Sequence, residues 1–319
     1  MNTHIPVMQN EIAESFEYLG ARPSPVFVDG TLGLAGHSIL IAKELKARNK
    51  KWQVIGIDKD EQALKIAKEN ISRAKFDDSF TLVKDDFKNI NSILSELKTS
   101  SIDGALLDLG VSSLQLDDPD RGFSFRDPEA PLDMRMDKNT KYSAKDVING
   151  YGEQKLFTLL KEFGEERYAR AIAKNITAAR KIKPIVTAGE LIEIISRSVP
   201  PSYRFDRHIH FATRTFQAIR IEVNNELSSL DKAIQDFIAG LKPGGKLAVI
   251  SFHSLEDRIV KNTFKKLENP CECPKEMPCV CNKKPTVKII TNKPAEPTAQ
   301  EKAENPRSRS AKLRIVEKL

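Results

Sequence analysis

The sequence predicts an α/β fold, a doubly wound parallel sheet interrupted by a helical insertion. Three observations predict it. Short apolar runs alternate with amphipathic helical stretches as far as Leu109, a glycine-rich turn follows the first run, and strand-like sequence vanishes from about Val111 to about Ser202 before returning at Lys246. Strands of a parallel sheet are buried on both faces, so they read as near-continuous apolar runs joined by crossover helices.

The first strand is Val26 to Asp29, leading through glycines into a helix that begins near Gly36 with Ile39, Leu40, Ile41 and Leu45 on its apolar face. Trp52 to Asp58 is the second, followed by the amphipathic run Glu61 to Ala74. Phe80 to Val83 is the third, closing on Asp85, Asp86 and Phe87, and Ile102 to Leu109 is the fourth. After it come only turn-rich and helical stretches, among them Glu165 to Ala179 and Ala188 to Ser198. The sheet still lacks its later strands at that point. Lys246 to Phe252, announced by Pro243-Gly244-Gly245, then Thr286 to Thr291 and Lys312 to Val316 supply them. An insertion therefore fits better than two consecutive domains, with 1–110 plus 215–319 forming the sheet domain and 111–214 the helical one. Lys293 to Arg309, rich in Pro, Glu and Lys, reads as a mobile surface loop.

Composition narrows the class. The 319 residues are 40% hydrophobic and 30% charged, ordinary for a soluble globular protein. No basic-then-apolar leader opens the chain and no run reaches the roughly 18 apolar residues of a membrane span, so a cytoplasmic protein without a membrane partner is expected. The formal net charge of +7 suits a polyanionic partner, because each phosphate contact releases counterions. Charge alone permits nucleic-acid binding without demonstrating it.

In open parallel sheets ligands bind beyond the carboxyl ends of the strands. There the sequence offers Asp29-Gly30-Thr31-Leu32-Gly33-Leu34-Ala35-Gly36-His37 after strand one. Asp58, 22 residues after Gly36, is placed to accept hydrogen bonds from ribose hydroxyls. Asp86 and Phe87 follow strand three, where a polar group and an aromatic face would hold an adenine, and Asp108 ends strand four. Four consecutive strand ends with suitable groups point to a nucleoside-like cofactor. The G-x-x-G-x-x-G spacing differs from the dehydrogenase G-x-G-x-x-G and disfavours a pyrophosphate. Leu241-Lys242-Pro243-Gly244-Gly245-Lys246 is a phrase frequent in methyltransferases of this fold, so S-adenosylmethionine is the expected cofactor and a Rossmann-like class I methyltransferase sheet the expected fold.

Six further blocks carry a specific resemblance. They are Leu107-Asp108-Leu109-Gly110-Val111-Ser112-Ser113 with Gln115-Leu116-Asp117, Arg121-Gly122-Phe123-Ser124-Phe125, and Pro131-Leu132-Asp133-Met134-Arg135-Met136-Asp137. Downstream stand Gly164-Glu165-Glu166-Arg167-Tyr168-Ala169, Ala212-Thr213-Arg214-Thr215-Phe216-Gln217-Ala218 and Ile250-Ser251-Phe252-His253-Ser254-Leu255-Glu256-Asp257-Arg258. Over nearly its whole length the chain resembles the bacterial RsmH (MraW) family. The resemblance implies methylation of N4 of a cytidine in the decoding region of 16S rRNA, with the rRNA of the small ribosomal subunit as partner. It also implies cofactor contacts at Ala35, Gly36, His37, Asp58, Phe87, Asp108 and Gln115. Two departures stand out: Ala35 replaces a usual glycine, and His210-Phe211 replaces a usual His-Pro.

For transfer to an aromatic amine, an acceptor for the N–H proton would localise the nitrogen lone pair. The Ser/Asp-Pro-Pro-aromatic motif of DNA amino-methyltransferases is absent after strand four. Asp108 is expected at the junction of cofactor and substrate, with Asp133 or His253 completing the acceptor set. Each has a plainer reading: Asp133 could organise its own loop, and His253 could bond backbone. Arg204, Arg207, Arg214 and Arg220, among His208, His210 and the aromatic residues Tyr203, Phe205, Phe211 and Phe216, are the expected RNA surface. Cys271, Cys273, Cys279 and Cys281 are all the cysteines of the chain and form C-x-C-x5-C-x-C, which reads as a closed structural zinc site or as reduced thiols. A small-molecule methyltransferase and a non-catalytic RNA-binding module are the rival functions; the long insertion and basic surface argue against the first.

Overall fold

The structure is a computed structural model that describes residues 5–49, 51–205, 209–274 and 280–319. The chain divides into two compact units, Met1–Gly110 with Ser228–Leu319, and Val111–Leu227. No helix among the described residues is long and apolar enough to cross a membrane.

The first unit is built on seven strands: β1 (Val26–Asp29), β2 (Gln53–Asp58), β3 (Phe80–Lys84), β4 (Ile102–Asp108), β5 (Leu241–Ser251), β6 (Val287–Ile289) and β7 (Lys312–Lys318). Their order is β3-β2-β1-β4-β5-β7-β6. The first five run parallel, while β7 lies antiparallel to both β5 and β6. Strand side chains alternate between faces, and both faces are apolar. Val28, Ile55, Leu107 and Val249 enter one cluster, beneath helices Leu230–Gly240 and Ser254–Glu268. Phe27, Val54, Leu106 and Ala248 enter the other, with Ile12 and Phe16 of helix Gln9–Phe16 and Ile41 and Leu45 of helix Gly36–Arg48. Chain order reverses between β1 and β4, which makes the carboxyl end of β1 the switch point where such sheets hold ligands.

Strand β5 begins at Leu241, five residues before the expected start, so Pro243-Gly244-Gly245 lies within it rather than ahead of it. A register shift opposite Ile102 and Gly104 accommodates that irregular stretch. Lys293 to Arg309 is also more ordered than expected. It contains the helix Ala299–Glu304, whose N-terminus is capped by the Thr298 hydroxyl, and a 3-10 turn at Pro306–Ser310. Glu301 Oε1 accepts from the Met8 amide at 2.7 Å, a contact across the chain that no local pattern announces.

The second unit is helical: Ala144–Gly150, Glu153–Gly164, Ala169–Ala179, Ala188–Ser198 and Thr213–Asn224 surround one apolar core that includes Leu156, Leu160, Ile172, Ile176, Leu191, Ile195, Phe216 and Ile219. The helix Thr213–Asn224 belongs here, so the return to the sheet unit falls at 227/228 instead of 214/215. Gly164 explains the attachment: a Cβ there would stand 2.6 Å from the Arg214 carbonyl, so only glycine allows helices Glu153–Gly164 and Thr213–Asn224 to cross so closely. Gln217 and Arg214 then donate to the carbonyls of Phe163 and Glu165.

Candidate active site

The turn after β1 is tied to both neighbouring strands. The Gly30 amide donates to Leu106 in β4, the Leu32 amide donates to Ile57 in β2, and the Asp108 amide donates to Thr31 Oγ1 at 2.6 Å. Gly33 takes φ +52, and a Cβ there would have no neighbour nearer than the Thr31 carbonyl at 3.9 Å. Ala35 also takes the left-handed region, at φ 67, while fully buried as the residue before helix Gly36–Arg48. The methyl group is accommodated, at a conformational cost that glycine would not bear.

The side chains expected to contact the cofactor in this unit sit on that frame. Asp58 Oδ2 accepts from the Gly33 amide and Oδ1 from the Asp60 amide, each at 2.8 Å. Two backbone donors fix the carboxylate plane, and each oxygen keeps a further lone pair for a hydroxyl. Phe87, whose Cβ lies 3.2 Å from the position a Gly30 Cβ would take, opens the short 3-10 turn Phe87–Asn89, and Asp86 caps that turn through the Lys88 amide. His37 Nε2 donates to the Val7 carbonyl at 2.8 Å, turning Nδ1 toward Asp108 Oδ2 at 3.8 Å. Gln115 lies in the helical unit, buried in the helix Ser113–Asp117, where it forms a reciprocal capping box with Ser112.

Asp108 stands apart electrostatically. Burial raises its carboxyl well above the usual range, and the nearby charges of Asp29 and Glu256 raise it further. Its Oδ1 is buried with no hydrogen-bond partner. Asp29, which sequence reasoning treated only as the end of a strand, is fully buried and raised to about 6, despite hydrogen bonds from the Ser38 hydroxyl and the Thr31 amide. The available signal was an acidic residue closing a buried strand immediately before the glycines. Burial also raises Asp58, against the pull of its two amide donors. Among the described residues none of these three carboxylates is ion-paired with a lysine or arginine.

The two residues offered as companions to Asp108 are engaged locally. Asp133, in the helical unit, holds Arg135 through Nε on Oδ1 at 2.9 Å and Nη2 on Oδ2 at 2.7 Å, and accepts the Arg135 amide as well. Burial works to raise its carboxyl, but the Arg135 bonds and charge outweigh it and hold Asp133 below the usual range. His253 caps the helix Ser254–Glu268: its Nδ1 accepts from the Glu256 amide while Glu256 Oε2 accepts the His253 amide. His253 Nε2 is buried without a hydrogen-bond partner, 3.2 Å from Glu256 Oε1.

Of the four arginines, Arg214 is half-buried, with Nη1 on the Glu165 carbonyl, and Arg204 reaches Ser196 Oγ at 3.4 Å. Arg220 departs from the expectation of a phosphate ligand. Its Nε and Nη2 both donate to the Glu226 carboxylate at 2.9 Å and its side chain is 17% exposed, so its charge is answered inside the unit. Arg207 and His208 lie outside the described residues, as does Cys279. The thiols of Cys271, Cys273 and Cys281 all lie within 4.8 Å of one another.

S-adenosylmethionine fits the sheet unit on these observations. Its ribose hydroxyls match the fixed Asp58 carboxylate. Its sulfonium and ammonium charges match an edge where three carboxylates gather, none of them ion-paired with a lysine or arginine among the described residues, and one buried oxygen is unpartnered. The MraW methylase family matches the chain over residues 1–319. The chain is 50% identical over 317 residues to "Ribosomal RNA small subunit methyltransferase H" of Clostridium botulinum (strain Loch Maree / Type A3), covering 99% of each. It is 49% identical over 318 residues to the protein of the same name from Carboxydothermus hydrogenoformans, covering 99% of this chain and 98% of that one. Among solved structures, an rRNA methylase from Streptococcus thermophilus gives a TM-score of 0.41 at 12% identity, covering 96% of this chain and 95% of that one. With a full-length family match and relatives at half identity, the chain belongs to the MraW methylase family.

Proposed function

We propose that the chain methylates the N4 amine of a cytidine in the decoding region of the 16S rRNA of the small ribosomal subunit, using S-adenosylmethionine. The observation that carries the cofactor half is the acidic strand edge, where Asp29, Asp58 and Asp108 have no lysine or arginine ion-paired to them among the described residues and Asp108 Oδ1 is buried and unpartnered. The RNA half rests on the relatives' names and on the chain's net charge of +7.

When bound, the cofactor supplies a methyl group activated by a positive sulfur. Asp58 accepts the ribose hydroxyls, Gly33 lets the backbone approach, and Phe87 offers an aromatic face to the adenine. Ala35, Gly36 and His37 contribute the start of the following helix. Asp108 is the proposed proton acceptor, because a carboxylate raised by burial and like charge is a stronger base than an ordinary one. With the methyl group passing from sulfur to nitrogen, the C–S bond would break to leave a neutral thioether, and Asp108 would take one N–H proton so that the amine stays neutral. Asp133 and His253 hold their own loops in this scheme and do not move the proton. Arg204, Arg207 and Arg214 contact phosphate, in the cytoplasm where ribosomal subunits are made.

The test is to incubate the full chain with methyl-labelled S-adenosylmethionine and either assembled small subunits or naked 16S rRNA, then digest and map the labelled nucleoside. Label in N4-methylcytidine at a single decoding-region position is expected. Label in another nucleoside, or on small molecules only, overturns the proposal, and no transfer at all favours a non-catalytic RNA-binding module.

A further inference from the structure

The segment between helix Ser254–Glu268 and β6 plays no part in the proposed reaction, yet it contains every cysteine of the chain. Its base is closed by hydrogen bonds: the Thr286 amide donates to the Leu267 carbonyl at 3.0 Å, and the Ile289 amide to Glu268 Oε1 at 2.8 Å. Between these ties, none of the described residues from Asn269 to Thr286 is buried. Its described residues form no apolar core to hold them in one conformation. Even so, Cys271 and Cys273 from its first half meet Cys281 from its second, with all three sulfurs within 4.8 Å of one another.

We propose that this loop is fastened by a zinc ion held by Cys271, Cys273 and Cys281. Tetrahedral zinc with bonds of about 2.3 Å places sulfurs roughly 3.8 Å apart, so each of the three needs to move by about 1 Å or less. A second observation points the same way. The Val280 amide donates to Cys273 Sγ at 3.4 Å, and an amide bond to sulfur stabilises the thiolate that a metal requires. Asn282 takes φ 51 directly after Cys281, a left-handed turn that asparagine tolerates and that redirects the chain at once. Three thiolates around one Zn2+ carry a net charge of −1. Lys265, Lys266, Lys283 and Lys284 flank them in the sequence, and Lys283 Nζ pairs with Glu272 Oε2 at 2.6 Å, between Cys271 and Cys273 in the chain. The loop holds none of the residues assigned to the reaction, so the ion is structural: it fastens the loop without touching the chemistry.

Metal analysis of the full chain, purified under reducing conditions without chelator, is expected to find about one zinc per chain. Substituting cobalt should give the strong visible absorption of a tetrahedral thiolate site. Cys273→Ser and Cys281→Ser should each bring the zinc content close to zero while circular dichroism of the remainder is unchanged. Limited proteolysis gives a readout that depends on neither variant: chelator should expose cleavage between residues 269 and 286 of the wild-type chain, and added zinc should restore protection. Three results overturn the proposal. They are a wild-type chain that stays metal-free after dialysis against zinc, equal zinc retention by the Cys273→Ser and Cys281→Ser variants, and a disulfide that persists among these cysteines in reducing buffer.

Discussion

At the carboxyl edge of the sheet, burial holds Asp29, Asp58 and Asp108 above the usual carboxylate range. In the helical unit Asp133, Asp146 and Glu190 are held below it. The difference lies in what surrounds each acid. Glu190 is brought to about 2 by Lys183 and by the Val186 amide, and Asp146 is lowered chiefly by the Ser143 hydroxyl and amide of its capping box. Asp133 overcomes its burial through Arg135. Acids of the helical unit are therefore structural fittings, each satisfied by a neighbour that folding brings to it. Those of the sheet edge are taken from water without a cation in return, which lowers stability. An arrangement that costs stability and gathers negative charge at a ligand-binding edge suits a positively charged ligand.

The largest expected effect tests that contrast directly. Asp108→Asn should slow methyl transfer by about 10²- to 10⁴-fold in single-turnover assays, while thermal stability at neutral pH is unchanged or higher. A variant that transfers methyl at the wild-type rate would remove Asp108 from the chemistry. Next comes Asp29→Asn. A buried carboxyl raised to about 6 contributes stability below pH about 4 that is lost as pH rises through its folded value. The wild-type chain should thus lose up to about 3 kcal/mol from this group between pH 4 and pH 7, and the variant should not. Urea midpoints measured across that range check it, and parallel pH slopes for the two proteins would break the comparison.

Asp133→Asn should lower stability by about 1–3 kcal/mol because Arg135 loses a charged, two-pronged partner. Transfer per folded molecule should stay within about twofold of wild type if the residue only holds its loop. A collapse in rate with no loss of stability would instead place Asp133 with Asp108. The smallest effect belongs to Ala35→Gly. Relief of the left-handed alanine is opposed by the greater chain entropy of glycine, leaving a gain of about 0–1 kcal/mol by chemical denaturation. A loss of more than that would mean the buried methyl group contributes packing that outweighs its backbone strain.

Much of the sheet unit was legible because burial on both faces writes itself into local sequence. β1 to β4 are apolar runs, and their ends carry Asp29, Asp58 and Asp108 in register with the turn. The less legible features share one cause, dependence on distant partners. Helix Ala299–Glu304 hides in a Pro- and Glu-rich stretch and is fastened by Glu301 to Met8. The end of the helical unit hides because Phe216 and Ile219 look like core without revealing whose core, and Gly164 decides it from another helix. His253 carries no sign that it caps a helix, a role more often taken by Ser, Thr, Asp or Asn.

The sequence by itself determined the fold class, the strand-end positions and the family, because periodicity and motif spacing are properties of neighbours along the chain. Only the tertiary structure decided the charge state of the acids, since a carboxyl responds to whatever lies within a few ångströms, whatever its place in the chain. It alone shows Asp108 with an unpartnered oxygen, Asp133 bonded to Arg135, and Arg220 paired with Glu226. It also brought three cysteine sulfurs together in a loop with no buried residue among those described.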